Sequence, residues 1–340
     1  MHIVITGGAG FLGVRLARSL LAAGELSLAG AAATLITRIT LIDRAAPTAD
    51  LIADARIVVV TGDILALLQD KPGAARVLSD AALVFHLAAA VSGECEADFD
   101  LGMRSNLDAT RALLEACRAL QSRPTVVFAS SLAVFGNSPE QPLPATIEDH
   151  TLPTPQSSYG IQKFIGEQLV ADYGRKGFIR GRNVRLMTVS VRPGQPNGAA
   201  SSFLSGMIRE PLAGVRASCP VPPDTAVALS SPARTVEGLL SAAQTSDHDW
   251  GTRTALNLPA IKTTTGEMAA ALARIAGSAA TGLIDWSPDP AIAKIVTSWP
   301  ANIRATRARG LGLLPDKDFE SIIRDYVREN PYAVKLDVSP

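Results

Sequence analysis

The stretch Thr6-Gly7-Gly8-Ala9-Gly10-Phe11-Leu12-Gly13 decides the fold, because it joins a short β-like run at residues 2–6 to a helical pattern at residues 11–23. Gly7 permits a turn with positive φ, Gly10 lets the backbone approach a diphosphate, and Gly13 allows close packing of the helix on the sheet. The N–H groups at the start of the helix then face the diphosphate. A glycine triplet can also be an ordinary turn, but its place between strand and helix predicts a dinucleotide site. The contacts expected from this loop are Gly7, Gly10, Phe11, Leu12 and Gly13.

The pattern that continues from this loop to about residue 193 alternates β-rich runs with longer helical stretches. The β-like runs are residues 2–6, 38–43, 56–60, 83–87, 125–130 and 184–191, and the main helical stretches are residues 11–23, 101–120 and 159–174. Such alternation is typical of βαβ units around a parallel sheet with helices on both faces. The sequence therefore predicts an α/β fold with a Rossmann-type doubly wound parallel sheet.

The composition changes after Pro193, where Gly, Pro and Asn follow one another through Gly198, and a second proline cluster lies at residues 220–223. These segments are typical of loops. Two further β-like runs, residues 226–229 and 254–258, flank a helical stretch. We expect residues 1–193 to form the dinucleotide-binding domain, with residues 226–262 returning to it. Residues 194–225 and 263–340 then form a smaller C-terminal substrate-binding region.

Charge and cysteine content argue against several classes of protein. Thirty-two basic residues balance thirty-two acidic ones, so we expect no nucleic-acid partner and no polybasic membrane anchor. Glycines interrupt the apolar start, and no stretch reaches about 18 uncharged apolar residues, so we expect neither a signal peptide nor a membrane span. The three cysteines are widely spaced, and the four histidines show no ligand spacing. We therefore expect a cytoplasmic protein without a metal.

Asp43 ends the second long β-like run, where a carboxylate can accept both ribose hydroxyls of an adenosine and repel a 2′-phosphate. This position favours NAD as the cofactor. The carboxylate lies further from the glycine loop than the usual ~20 residues, and we interpret residues 24–37 as an insertion. Because Arg44 follows directly, NADP and an ordinary surface Asp–Arg pair are the alternatives.

Tyr159 and Lys163 lie four residues apart on a predicted helix, so both side chains share one face. Free tyrosine has a pKa of about 10, and a base that works near neutral pH needs roughly 4 kcal/mol of selective phenolate stabilisation. A lysine cation and an oxidised nicotinamide can supply it together. A solvent-facing tyrosine on an exposed helix is the alternative. Ser130 and Ser131 close the fifth β-like run, at the sheet edge where ligands of open α/β sheets bind.

These motifs resemble the extended short-chain dehydrogenase/reductase family, a group of sugar-nucleotide epimerases, dehydratases and related dehydrogenases. The resemblance covers essentially the whole chain and rests on TGGAGFLG at residues 6–13, Gly62-Asp63-Ile64, HLAA at residues 86–89, Asn106, SSLAVFG at residues 130–136, Tyr159 with Lys163, and Val191-Arg192-Pro193-Gly194. It implies that Tyr159, Lys163 and Ser131 are catalytic. It also implies cofactor contacts from Asp63, Ile64, Leu87, Ala88, Ala89, Asn106, Tyr159, Lys163 and Pro193. We interpret His86 as a structural residue at a strand end.

Departures of this sequence from the family patterns discriminate among the reactions that the family catalyses. Dehydratases carry an acidic pair just after the serine, where this chain has Leu132 and Ala133, which cannot transfer protons. Nucleotide-sugar enzymes usually have an aromatic-Asn element where this chain has Pro193-Gly194-Gln195-Pro196. Residues 203–223 and 229–232 resemble a branch that oxidises a small polyhydroxy acid, D-erythronate, to its 2-keto form with NAD. That resemblance implies an NAD-dependent oxidoreductase, and a nucleotide-sugar 4-epimerase with retained NAD is the alternative.

An anionic small-molecule substrate needs a cation near Ser131. Arg234 stands at the head of a predicted helix where many relatives carry an acidic residue, and Arg192 is a second candidate. A salt-bridge arginine without a substrate role is the alternative for each. The expected protein partner is a second copy, because the helices at residues 101–120 and 159–173 are the usual packing pair in dimers of the family. These apolar faces can also be covered within a monomer.

Overall fold

The structure, a computed structural model, describes residues 1–120 and 122–338. The strands in this part of the chain are β1 His2–Thr6, β2 Glu25–Ser27, β3 Ala33–Leu35, β4 Arg38–Asp43, β5 Ile57–Thr61, β6 Ala81–His86, β7 Thr125–Ser131, β8 Arg180–Leu186, β9 Thr188–Val189, β10 Ala217–Cys219, β11 Ala226–Ser230, β12 Leu256–Asn257, β13 Ile261–Thr264 and β14 Ile284–Trp286.

The α-helices of the same residues are α1 Phe11–Ala23, α2 Ala49–Ile52, α3 Ile64–Gln69, α4 Lys71–Leu78, α5 Ser92–Ala97, α6 Phe99–Gly102, α7 Ala109–Arg118, α8 Ser158–Arg175, α9 Phe203–Leu212, α10 Pro232–Gln244, α11 Asp247–Trp250, α12 Thr265–Thr281, α13 Pro290–Thr297, α14 Thr306–Gly310 and α15 Phe319–Glu329. A π-helical segment, Met103–Asp108, joins α6 to α7, and short 3₁₀ turns lie at Leu132–Val134 and Pro331–Ala333. No helix in the described ranges combines the length and apolar character that crossing a membrane requires.

The central sheet has the strand order β12-β8-β7-β6-β1-β4-β5, and every neighbouring pair is parallel. Ile3, Val4 and Ile5 of β1 are fully buried, as expected for a strand with helices over both faces. Ile3 and Ile5 pack with residues of α1 and α10, whereas Val4 packs with residues of α4 and α7. The predicted doubly wound sheet is therefore confirmed.

The chain changes direction across the sheet between β1 and β6. After β1 it adds β4 and β5 on one side, then returns to place β6 and β7 on the other. The crevice beyond the carboxyl ends of β1 and β6 is the point where doubly wound sheets bind their ligands. The sequence therefore folds so that the glycine loop after β1 faces residues following β4, β6 and β7.

A second apolar cluster lies in the C-terminal part of the chain. It includes Met207 of α9, Leu272 of α12 and Ile323 of α15. The small sheet β13-β11-β9 and the parallel pair of β10 and β14 lie in the same part of the chain. Within residues 226–262, α10 and β12 pack on the central sheet, whereas β11 and β13 belong to the small sheet. The proposed boundary at residue 193 stays a prediction.

Three segments differ in detail from the sequence expectations. The single helix expected at residues 101–120 consists of α6, the π-helical segment and α7, because apolar periodicity does not reveal a widened turn. The run expected at residues 184–191 is divided between β8 and β9, and β9 pairs with β11 outside the central sheet. Residues 24–37, interpreted as an insertion, contain the antiparallel hairpin of β2 and β3.

Candidate functional site

A cavity of about 580 Å³ opens at the carboxyl ends of the central strands. The glycine loop after β1 borders it, as do the residues that follow β4, β5, β6 and β7. Of the residues that the sequence assigned to a site, those lining it are Gly7, Gly10, Phe11, Leu12, Gly13, Asp43, Asp63, Ile64, Leu87, Ala88, Ala89, Ser131, Tyr159, Lys163 and Arg192. The topology thus brings side chains from distant parts of the chain into one crevice.

The glycine loop leaves space beside the start of α1. Gly7 has a φ of +71°, and a Cβ at this position would lie 2.9 Å from the backbone nitrogen of Ala88. A Cβ on Gly13 would overlap the carbonyl oxygen of Gly7. No side chain caps the start of α1, and its first turn has no acidic residue. The N–H groups there are therefore available to an anion, and the loop fits the diphosphate of a dinucleotide.

Asp43 presents its carboxylate at the end of β4, beside the same loop. One oxygen accepts the backbone N–H of Ala9 at 3.0 Å, which fixes the orientation of the group. The neighbouring Asp63 caps α3 by accepting the N–H of Ala66 at 3.1 Å. A negative charge at the end of this strand suits the ribose hydroxyls of NAD and disfavours a 2′-phosphate. Arg44 also lines the cavity.

Tyr159 and Lys163 are placed by the start of α8. The hydroxyl of Ser157 accepts the N–H of Gly160 at 3.1 Å and begins the helix, so that Tyr159 lies in its first turn and Lys163 one turn later. The Nζ of Lys163 donates to the carbonyl oxygen of Ala129 at 2.9 Å and lies 5.7 Å from the ring centroid of Tyr159. Lys163 is only 3% exposed.

Burial dominates the electrostatics of this pair. It raises the pKa of Tyr159 to about 12, although a hydrogen bond with Ser131 and the charge of Arg192 both lower that pKa. Burial also lowers the pKa of Lys163 to about 8. Each shift disfavours the charged form of its group. A further positive charge beside the Tyr159 ring would therefore strongly favour the phenolate.

Only one of the two adjacent serines has its hydroxyl beside Tyr159. Ser131 makes the hydrogen bond that lowers the pKa of Tyr159, and its Oγ also accepts the N–H of Ala133 at 3.1 Å. The hydroxyl of Ser130 instead donates to Glu167, which forms a buried ion pair with Arg185 at 2.8 Å. The alternation of side chains along β7 explains the difference.

His86 and Asn106 stabilise the walls of the site. The ring nitrogens of His86 lie 2.7 Å from the hydroxyl oxygen of Thr6 and 2.9 Å from that of Thr110. Burial lowers the pKa of His86 to about 3, so the ring is neutral near pH 7. Asn106 accepts the N–H of Ala90 at 2.8 Å, which ties the π-helical segment to the loop after β6. Neither side chain has the free atoms that proton transfer or cofactor contact requires.

Three residues assigned from the sequence do not border the cavity: Asn106, Pro193 and Arg234. Asn106 is buried behind the wall, because its side chain is used to hold the backbone of Ala90. Pro193 follows Arg192 in the segment that joins β9 to α9. Arg234 stands on the outer side of α10, where it donates to Glu237 at 2.7 Å and is 39% exposed. The sequence assignment of Arg234 to the substrate is therefore corrected, whereas Arg192 does line the cavity.

Several lining residues were not found by sequence reasoning. Arg104 and Ser105 precede Asn106, and Trp299 comes from the loop after α13. Arg104 could have been found as a cation next to a family motif. No sequence pattern marks Trp299, because it is more than a hundred residues from the catalytic candidates and reaches the cavity only through the packing of the C-terminal part. In residues 1–120 and 122–338, no group of three His, Cys, Asp or Glu side chains could hold a metal ion.

A cavity that contains both a diphosphate loop and a phenol beside a buried cation is typical of dinucleotide-dependent α/β enzymes. The sequence profile of the NAD-dependent epimerase/dehydratase family matches residues 3–225. The chain belongs to this family, and the resemblance expected from its motifs is confirmed.

Two curated relatives and one solved structure match this chain over nearly their whole length. The D-erythronate dehydrogenase of Cupriavidus necator is 49% identical over 97% of this chain and 98% of its own length. The D-erythronate dehydrogenase of Haemophilus influenzae is 40% identical over 96% of this chain and 99% of its own length. A solved structure, the nucleoside-diphosphate-sugar epimerase from Agrobacterium tumefaciens, superposes with a TM-score of 0.87 at 39% identity over 98% of this chain and 95% of that chain.

Proposed function

We propose that the chain is an NAD-dependent dehydrogenase that oxidises D-erythronate at C2 to 2-dehydro-D-erythronate. The observation that carries the proposal is that Tyr159, Lys163 and Ser131 open into the same cavity as the glycine loop and Asp43. The names of two relatives that match over almost the whole chain support this substrate.

The residues present fit NAD. The N–H groups at the start of α1 would hold its diphosphate, and the carboxylate of Asp43 would accept the ribose hydroxyls of the adenosine. Asp63 and Ile64 line the cavity and would pack against the adenine, and Leu87, Ala88 and Ala89, which line the same cavity, would contact the cofactor. When bound, NAD would supply the acceptor for the hydride of C2.

The side chains of the protein move the proton and stabilise the oxygen. Tyr159, as phenolate, removes the proton of the C2 hydroxyl while the C2–H bond breaks and the C2–O bond becomes a carbonyl. Ser131 donates a hydrogen bond to the C2 oxygen, where negative charge develops. Lys163 supplies a fixed positive charge that favours the phenolate. The substrate thus loses one proton to the protein and one hydride to the cofactor.

The second candidate function is a nucleotide-sugar 4-epimerase, which returns the hydride to the same substrate. The solved structure at 39% identity that carries an epimerase name favours this candidate. The absence of an acidic pair after Ser131 argues against dehydration for either candidate, because Leu132 and Ala133 carry no titratable group.

Absorbance of NADH separates the two functions. We expect the purified protein to form NADH from NAD and D-erythronate, and Tyr159→Phe to lower kcat/KM by about 100-fold to 10,000-fold, the usual contribution of a general base. Tyr173→Phe, in the last turn of the same helix and outside the cavity, is the matched control and should leave the rate unchanged. No NADH from D-erythronate, together with epimerisation of a UDP-hexose, would reverse the ranking.

We also propose that the protein forms a homodimer. The support is an apolar surface on α6 and α8, where Phe99 is 60% exposed, Ile161 46% and Ile165 36%. Large apolar side chains grouped on neighbouring helices are typical of interaction surfaces. Sedimentation should give twice the mass of the chain, and Ile161→Glu with Phe99→Lys should give the monomer mass. A monomer in the wild type would contradict the proposal.

A location in the reducing cytoplasm is proposed as well. Its support is that Cys95, Cys117 and Cys219 are all free and buried in the structure.

A further inference from the structure

Besides Lys163, Arg192 is a second cation that borders the cavity near Tyr159 and is largely enclosed by protein. It follows β9 and lies over the ring of Phe11, with its guanidinium carbon 6.0 Å from the ring centroid. Its charge acts on the pKa of Tyr159, as the charge of Tyr159 acts on the pKa of Arg192. Arg192 and the Tyr159 phenol therefore lie within electrostatic reach of each other.

The partners of the Arg192 side chain are all neutral. One guanidinium nitrogen donates to the hydroxyl of Ser201 at 3.1 Å, and the other is 3.4 Å from the side-chain oxygen of Asn197. The Nε is buried and has no hydrogen-bond partner. In the described ranges no carboxylate lies within ion-pair distance of Arg192, whereas the neighbouring Arg209 pairs with Glu210 at 2.5 Å.

A buried guanidinium without a counter-ion is costly, because the charge has lost water and gained no opposite charge. Burial and the charge of Arg209 both lower the pKa of Arg192, to about 10. The group still carries its charge near neutral pH. An anion that entered the cavity would remove this cost, which is a reason for a protein to keep such a group in a binding site.

The backbone of Arg192 is held from both sides. Its N–H donates to the hydroxyl of Ser205 at 3.0 Å, and its carbonyl oxygen accepts from Arg209 at 2.8 Å. Both partners lie on α9, so the helix fixes the point from which the side chain extends. A guanidinium positioned in advance loses little entropy when it binds a planar carboxylate through two parallel hydrogen bonds.

We propose that Arg192 binds the carboxylate of a 2-hydroxy acid and thereby places the hydroxyl of C2 between Tyr159 and Ser131. The proposal rests on the proposed dehydrogenase function and names its substrate class: the acid group and the reacting hydroxyl must be on adjacent carbons. It also gives Arg192 a second effect. The anion offsets the positive charge that lowers the pKa of Tyr159, so substrate binding makes the phenolate less favourable unless Lys163 and the cofactor supply the charge.

The test compares a charged substrate with its neutral amide. Arg192→Gln and Arg192→Lys are assayed with NAD and either D-erythronate or D-erythronamide. We expect Arg192→Gln to lower kcat/KM for D-erythronate by about 100-fold, mainly through KM, because a hydrogen-bonded charge pair is lost. For the amide we expect a change within about threefold, and Arg192→Lys should recover part of the loss for the acid only. Arg234→Gln, outside the cavity, is the matched control and should match the wild type with both.

Cofactor affinity separates this role from a contact with the dinucleotide. The dissociation constant of NAD, measured by calorimetry without substrate, should be equal in the wild type and Arg192→Gln. An equal loss of activity with acid and amide, or a loss of NAD binding, would overturn the proposal. So would a variant that keeps its activity on D-erythronate.

The same assays distinguish failure of the proposed dehydrogenase function from failure of the proposed role of Arg192. If the wild type oxidises D-erythronate and Arg192→Gln does so equally well, the dehydrogenase function stands and the role of Arg192 fails. If the wild type oxidises other 2-hydroxy acids but not D-erythronate, and Arg192→Gln loses that activity, the named substrate fails and the role of Arg192 stands. If the wild type oxidises no 2-hydroxy acid, both fail.

Discussion

Replacing Lys163 by methionine should lower activity and raise stability at the same time. The side chain is a buried cation that contacts the carbonyl oxygen of Ala129 and stands beside Tyr159. At a distance of 5.7 Å and an effective dielectric constant of about 20, the charge favours the phenolate by about 3 kcal/mol, or a factor of about 100. We therefore expect kcat/KM at pH 7 to fall by about 100-fold in Lys163→Met.

The gain in stability follows from the same burial. The pKa of Lys163 falls from its ordinary 10.5 to about 8 in the folded chain, so the unfolded chain binds more protons between those two pH values. The contribution of Lys163 to the stability of the wild type therefore rises with pH across that window, and below it the buried charge costs about 3 kcal/mol. Loss of the hydrogen bond to Ala129 destabilises the variant by about 1 kcal/mol and so offsets part of this gain. We expect Lys163→Met to be more stable by about 2 kcal/mol at pH 7.

Urea unfolding at pH 7 and pH 10 tests the predicted change in stability, and NADH formation at pH 7 tests the predicted loss of activity. Lys176→Met, at the exposed end of the same helix, is the control and should change neither quantity. The stability difference between Lys163→Met and the wild type should become smaller at pH 10 than at pH 7, because the wild type then loses the buried charge. The reasoning is refuted if Lys163→Met unfolds at a lower urea concentration than the wild type at pH 7, or if its activity falls less than about tenfold.

Four further changes test other parts of the structure. Asp43→Ala should raise KM for NAD about tenfold and lower KM for NADP, because the charge that repels a 2′-phosphate is gone. An unchanged ratio of the two KM values would contradict the role of Asp43 in cofactor selection. His86→Asn should leave the pH profile of kcat/KM between about pH 5 and 8 unchanged, since the pKa of His86 is about 3. If the substitution removes an ionisation from the profile in that range, His86 takes part in proton transfer. Glu167→Gln should destabilise the protein by about 3–5 kcal/mol in urea, because it leaves the buried Arg185 without a counter-ion. Gly13→Ala should weaken NAD binding more than tenfold in calorimetry, as its Cβ would overlap the carbonyl oxygen of Gly7.

Local sequence signals predicted the elements whose conformation depends on residues close together in the chain. The bounds of β1, β4 and α1 agree with the expected runs, because a glycine loop and strong apolar patterns mark these elements. The same signals did not show the π-helical segment at residues 103–108 or the end of β8 at Leu186. Both depend on contacts with distant residues, such as the pairing of β9 with β11.

The sequence by itself determined the doubly wound fold, the diphosphate loop and the spacing of Tyr159 and Lys163, because each depends on the backbone preferences of a few consecutive residues. Only the tertiary structure decided which arginine faces the cavity. Arg192 and Arg234 both lie near family motifs, yet the first enters the crevice and the second pairs with Glu237 on an outer helix surface. The choice depends on how α9 and α10 pack against the central sheet, and packing between segments far apart in the chain leaves no local pattern in the sequence.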